Sequence, residues 1–179
     1  LLQTLLQGLD QLHYNPRSLD DAFSEDLYKL YLDRIDGGKR FLLQSEVDQL
    51  KPFEKLLDEQ LKAGNISFFD KTNEMIDLGV KRSEKIYQEI LSQPFVFNIQ
   101  ESFETDAEKR KFPANENELR ELWRKMLKYE TMTRFADKIE ERTKGTPEYK
   151  DKTDKELEED ARKGVRERFD TYFDQLKKI

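Results

Sequence analysis

The stretch LHYNPRSLDDAF, residues 12–23, holds the one histidine of the chain, His13, beside a tyrosine and close to two serines and two aspartates. An imidazole could serve as general base for a serine nucleophile, and Ser18 and Ser24 are the nearest hydroxyls in sequence. Ser18, however, stands three residues before Asp21, the spacing at which a hydroxyl caps a starting helix. No Gly-x-Ser-x-Gly elbow occurs. A lysine can replace histidine as base only when it is stripped of solvent, and the lysines here alternate with other charges on what read as outer faces. Asp20 and Asp21 could form an acid-base pair, yet two carboxylates in the first turn of a helix are already explained by its positive end. The reading is that no catalytic residue is present.

Metal chemistry fares no better. A di-iron helical site needs paired Glu-x-x-His motifs, which one histidine cannot supply. The acidic run DKTDKELEED, residues 151–160, lacks the glycine of a calcium loop and reads as the solvated start of a helix. There is no cysteine, which removes thiol catalysis, disulfides and cysteine-ligated metals. Neither a Walker-type nor a Gly-x-Gly-x-x-Gly phosphate loop occurs. No metal or cofactor is therefore expected. The basic groups Lys81, Arg82 and Lys85, and Lys109, Arg110 and Lys111, lie among acids and read as solvated faces. Trp123, next to Leu122 and Met126, reads as core.

The elements that would carry these residues are helical. Leu1, Leu2, Leu5, Leu6, Leu9 and Leu12 share one stripe, and Asn15-Pro16 breaks it. Ser18 and Asp21 predict a helix from Leu19, with Phe23, Leu27, Leu30, Tyr31 and Ile35 on one face and Gly37-Gly38 ending it by positive φ. Ser45 is expected to cap a helix over Val47–Leu61, interrupted at Pro52 and stopped by Gly64. Asn65 or Ser67 opens what reads as the longest helix, running to Pro94. Phe95, Phe97 and Ile99 then alternate, predicting an extended connector packed on the helices. Asn115 with Glu118 starts a further long helix through Leu119, Trp123, Met126 and Ile139. ERTKGTPEYKDK, residues 141–152, reads as a flexible loop, and Thr153 with Glu156 caps a last helix. That helix meets no stop signal, and the first residue is not methionine, so a piece of a longer protein is expected. The fold expected is all-α: a multi-helix array of about five to six helices with one extended connector, in a single domain over residues 1–179.

The composition agrees with that class. Hydrophobic residues make up 36% and charged residues 39%, with seven Gly and five Pro, a balance that suits amphipathic helices with charged outer faces. The 32 basic against 38 acidic residues give a net charge of −6 with mixed signs, which argues against nucleic-acid binding. No apolar run approaches the ~18 residues of a transmembrane helix.

Two stretches carry a resemblance to a known family. HYNPRSLDDAFSEDLYKLYLDRIDGGKRFLLQSEVDQL, residues 13–50, resembles the opening helical segment of tail-specific proteases, also called carboxy-terminal processing peptidases, through His13, Tyr14, Leu19, Asp20, Phe23, Ser24, Tyr31, Leu32, Asp36, Leu42 and Leu43. PANENELRELWRKMLKYE resembles the family's helix leading toward the protease core, through Pro113, Asn115, Glu116, Leu119, Leu122, Trp123 and Lys128. The resemblance implies a non-catalytic N-terminal helical domain of a serine endopeptidase of the bacterial periplasm or cell envelope. Its PDZ domain and its Ser/Lys protease domain would lie beyond Ile179. Protein substrates or an adaptor protein are the partners this implies. The competing reading is an independent helical adaptor unconnected with proteolysis; a helical metal or lipid binder is the third.

Overall fold

The computed structural model describes residues 2–14 and 17–177, with only the main chain described for Leu2, Leu5, Gln7, Leu9 and Asp10. The described residues are helical without strands: α1 (Leu2–Leu12), α2 (Asp21–Asp36), α3 (Gln44–Leu50), a 3₁₀ turn (Lys51–Phe53), α4 (Leu57–Ala63), α5 (Ser67–Ile90), α6 (Glu116–Thr143) and α7 (Asp154–Leu176). The expected all-α class and the extended connector are both present. Asn15-Pro16, Leu1 and Ile179 lie outside the described residues.

Several helix boundaries differ from expectation for local reasons. α2 starts two residues later than Leu19, because the Asp20 carboxylate rather than the Ser18 hydroxyl accepts the Phe23 N–H, at 2.9 Å. A carboxylate there also complements the helix dipole. At the other end Gly37 keeps a helical φ of −58°, and the positive φ falls on Lys39, at 50°. What Gly37 supplies is room, since a Cβ there would lie 2.6 Å from the Asp33 carbonyl oxygen. α3 is opened by Glu46, whose carboxylate accepts the Leu43 N–H at 2.8 Å, and Ser45 sits inside the first turn.

Pro52 and Gly64 act as expected: the helix gives way to the 3₁₀ turn at Pro52, and Gly64 stops α4 at φ 69°. Asn65 Oδ1 accepts the Ser67 N–H at 2.8 Å ahead of α5. The longest helix is α6 at 28 residues, not α5 at 24, because α5 closes at Ile90 before Pro94. The capping box of α7 is formed as read, with Thr153 N–H donating to Glu156 at 2.8 Å and Glu156 N–H to Thr153 Oγ1 at 3.3 Å.

The chain divides into two compact units, Leu1–Gly79 with Ala107–Asn115, and Val80–Asp106 with Glu116–Ile179. Unit one is built around Tyr28, Leu32, Leu50, Leu57 and Phe68. Phe68 collects the rings of Tyr28 at 5.8 Å and Phe53 at 5.7 Å. Gly79 of α5 packs so closely there that a Cβ would stand 2.7 Å from the Phe41 carbonyl oxygen. Unit two packs α7 against α6 and the second half of α5 around Tyr87, Trp123, Phe169 and Phe173, all buried. Tyr87 stacks on Phe173 at 4.7 Å, and Trp123 meets Phe169 edge-on at 5.6 Å. Burial of this aromatic set, worth about 1.5–3 kcal/mol per large side chain, is the main force holding the three segments together.

Candidate functional site

Each polar group that the sequence offered for chemistry has a definite place. Ser24, on α2, is fully buried, donates from Oγ to Asp58 Oδ1 at 2.8 Å and accepts the Asp58 N–H at 2.8 Å. Asp58 Oδ2 in turn accepts from Lys62 Nζ at 2.7 Å, and the same ammonium donates to the Leu19 carbonyl at 2.7 Å. The Lys62 and Ser24 partners hold the Asp58 carboxyl below the usual carboxylate range. A serine, a carboxylate and a lysine thus meet, but the hydroxyl is sealed from solvent and the lysine nitrogen is used as a donor. The set ties α2 to the first turn of α4 and supplies the partner that a helix N-terminus needs.

His13 and Ser24 are not brought together in this role, since Ser24 is spent on Asp58. His13 is exposed, in a segment where Leu12 and Tyr14 also face solvent. Ser18 is exposed and does not cap α2. Asp20 caps it and Asp21 lies in its first turn. Among the described residues no three His, Asp or Glu side chains converge where a metal ion could be held. Of residues 151–160, those from Asp154 onward form the first turns of α7 and Thr153 caps it. Trp123 is core, as read.

Three arrangements were not visible in the sequence. Asp36, at the end of α2, accepts the N–H groups of Arg40, Phe41 and Leu42 at 2.9, 3.0 and 2.9 Å, so one buried carboxylate shapes the whole turn. Burial pushes its pKa up, against the pull of those three donors. Lys39, in its left-handed conformation, sends its ammonium to the carbonyls of Ala107, Glu108 and Arg110 at 3.2, 3.2 and 2.5 Å, while Arg110 returns a bond to the Gly38 carbonyl at 3.3 Å.

The third is the anchoring of the connector in unit two. Glu101 receives a two-pronged contact from Arg124, at 3.1 and 2.5 Å, and a second cation from Lys128, which is itself buried. Arg124, then Lys128, hold the Glu101 carboxyl down at about 2. Phe97 stacks on Phe135 at 5.5 Å and Phe103 packs by Tyr129 at 6.1 Å, so the connector runs antiparallel to α6. At its start Glu158 accepts the Phe95 N–H at 3.1 Å and Arg162 caps the end of α5 through the Leu91 carbonyl at 2.9 Å. The α6–α7 loop is likewise tied rather than loose: Arg142 bonds the Lys152 carbonyl and Asp154, and the ammonium groups of Lys138 and Lys152 both stand over the Tyr149 ring, at 4.8 and 5.5 Å from its centre.

These polar constellations connect elements of the fold. Buried carboxylates sit against main-chain N–H groups or cations. What these described clusters can do is hold neighbouring elements in place. No described helix is long and apolar enough to cross a membrane.

Comparison with known proteins gives this scaffold a context. A family model described as the tail specific protease N-terminal domain matches residues 5–178. The chain is also similar to a tail-specific protease of Haemophilus influenzae, 36% identical over 121 residues, an alignment that covers 64% of this chain and 17% of that protein. The chain thus spans only a small part of the length of the curated relative it matches.

Proposed function

Because the chain belongs to the tail-specific protease N-terminal domain family, we propose that it is the non-catalytic helical domain of a tail-specific, carboxy-terminal processing serine endopeptidase. It frames access of protein substrates and docks protein partners, while the cut is made by a Ser/Lys dyad carried elsewhere in the parent, after a PDZ domain. The bacterial envelope, in its periplasmic compartment, is the location this reading carries with it. The observation that bears the proposal is the match of the family model over 5–178.

The geometry supports the assignment of shape rather than chemistry to this region. The Ser, carboxylate and Lys cluster at Ser24, Asp58 and Lys62 is a helix junction with no access for a substrate carbonyl. The test compares the purified full-length parent with the same protein carrying Ser24→Ala. Cleavage of an unstructured protein with an apolar C-terminus is expected from both. Loss of turnover in the folded Ser24→Ala protein would overturn the non-catalytic assignment, and a parent with no peptidase activity at all would overturn the protease reading.

A further inference from the structure

In unit one the turn after α2 holds segment 107–113 at three points. The Lys39 ammonium donates to the carbonyls of Ala107, Glu108 and Arg110, at 3.2, 3.2 and 2.5 Å. Arg110 Nη1 donates back to the Gly38 carbonyl at 3.3 Å, and the Pro113 carbonyl accepts the N–H of Gln44, the first residue of α3, at 2.8 Å. In chain order Ala107–Asn115 interrupts unit two, yet it belongs to unit one. Its place there therefore rests on contacts of this kind and not on its sequence neighbours. We propose that the three carbonyls form a binding site for an ammonium ion, filled from within the chain by Lys39, and that its occupancy fastens segment 107–113 to the 38–44 turn.

The first support is the match of donors to acceptors. An ammonium group carries three N–H donors and no acceptor, and three carbonyl oxygens converge on this one nitrogen. A surface lysine in search of a counter-ion takes a carboxylate. Lys39 instead meets the main chain of Glu108, and among the described residues it forms no ion pair. Charge-assisted bonds of this type are the stronger class, so removing the charge costs more than removing a neutral donor.

The second support is the backbone that presents the lysine. Lys39 has a φ of 50°, in the left-handed region that glycine occupies at least cost, and two glycines stand directly before it. The chain keeps a long cationic side chain at the one position of this turn where its main chain is least comfortable. Asp36, only 3% exposed, sets that conformation by accepting the N–H groups of Arg40, Phe41 and Leu42. The lysine is thus oriented by the turn before its ammonium is placed, which lowers the entropy lost when the site is filled. The acceptors are ordered as well, since the Arg110 N–H closes a turn onto the Ala107 carbonyl at 3.2 Å.

The test is hydrogen exchange of the full-length parent, wild type against Lys39→Gly. Glycine takes a φ of 50° freely, so the variant loses the ammonium without straining the turn and leaves room for a free ion. The amides of residues 107–112 should exchange about tenfold faster in Lys39→Gly. Ammonium chloride should then restore slow exchange, and tetramethylammonium chloride at the same concentration should not, because that cation has the same charge and no N–H. Unchanged exchange in Lys39→Gly, no restoration by ammonium, or equal restoration by both salts would each overturn the proposal. A second measurement needs no variant. Acetic anhydride acting on the native parent, with the products mapped by mass spectrometry, should modify Lys39 about tenfold more slowly than the exposed Lys29. Comparable rates at the two lysines would overturn the proposal even if Lys39→Gly fails to fold.

Discussion

Ser24 and Asp58 exchange two hydrogen bonds of 2.8 Å each, side chain to side chain and main chain to side chain, in a site closed to solvent. The pair is what lets α4 begin without a capping residue of its own, since Leu56 at its N-cap offers no side-chain acceptor. Ser24→Ala strands the Asp58 N–H and removes a donor from its carboxylate. The expected loss of stability is about 1–3 kcal/mol, read from denaturant unfolding. An unchanged midpoint would show that water replaces the hydroxyl at no cost.

Two helical glycines should respond to alanine with opposite signs. At Gly79 the new Cβ would stand 2.7 Å from the Phe41 carbonyl oxygen, a rigid main-chain atom, so Gly79→Ala should destabilise by about 1–3 kcal/mol. At Gly164, in the interior of α7, the nearest atom is the flexible Arg134 Nη1 at 3.5 Å, an ordinary contact. There the better helix propensity should prevail, raising stability by up to about 1 kcal/mol. Thermal melts of the two variants decide it, and a shared sign would refute the packing argument at one of them.

The connector should come loose in acid. Glu101 in the fold titrates at about 2 against its ordinary 4.5, so its ion pairs contribute in full above pH 4.5 and are lost as pH falls from there through about 2. The difference in melting temperature between the wild type and Glu101→Gln should therefore be largest near neutrality and should shrink over that window. High salt should narrow it as well, since Arg124 and Glu101 remain partly open to solvent.

Alkali should act through two tyrosines. Burial, first, and then the bond to Asp170 push Tyr87 up to about 12, and burial with the nearby Glu54 and Asp48 does the same for Tyr28. Each keeps its proton in the fold where the unfolded chain has lost it, so stability falls as pH rises from the ordinary value of 10.0 toward 12. Tyrosinate absorbance should show Tyr28 and Tyr87 titrating late, together with unfolding. Replacing Tyr87 with Phe should blunt the alkaline loss.

The helices were legible because their apolar residues recur at helical spacing and because Pro52, Gly64, Thr153 and Glu156 are strong local signals. The misread boundaries were contests between neighbours. Ser18 and Asp20 could both cap α2, and the carboxylate nearer the first turn took the role. Gly37-Gly38 promised a positive φ, yet the tertiary clasp on Ala107, Glu108 and Arg110 moved it to Lys39. Nothing local announces such a clasp, nor the meeting of Glu101 with Arg124 and Lys128, because the partners stand 23 or more residues apart in sequence. The family signal was legible in residues 13–50 and 113–130, and the exposure of Ile99 was not, since Phe95, Phe97 and Ile99 read alike until the fold half-buries two and exposes one.

Trp123, the single tryptophan, is sealed between Tyr87, Phe169 and Phe173 in unit two. Nature has thereby wired one optical reporter into one half of the molecule. Indole emission follows only the aromatic cluster of α5, α6 and α7, whereas backbone ellipticity sums every helix. A heating curve recorded both ways is consequently a measure of cooperativity: superimposed traces mean that one thermal event dissolves the whole chain, and displaced traces mean that each half keeps its own melting point.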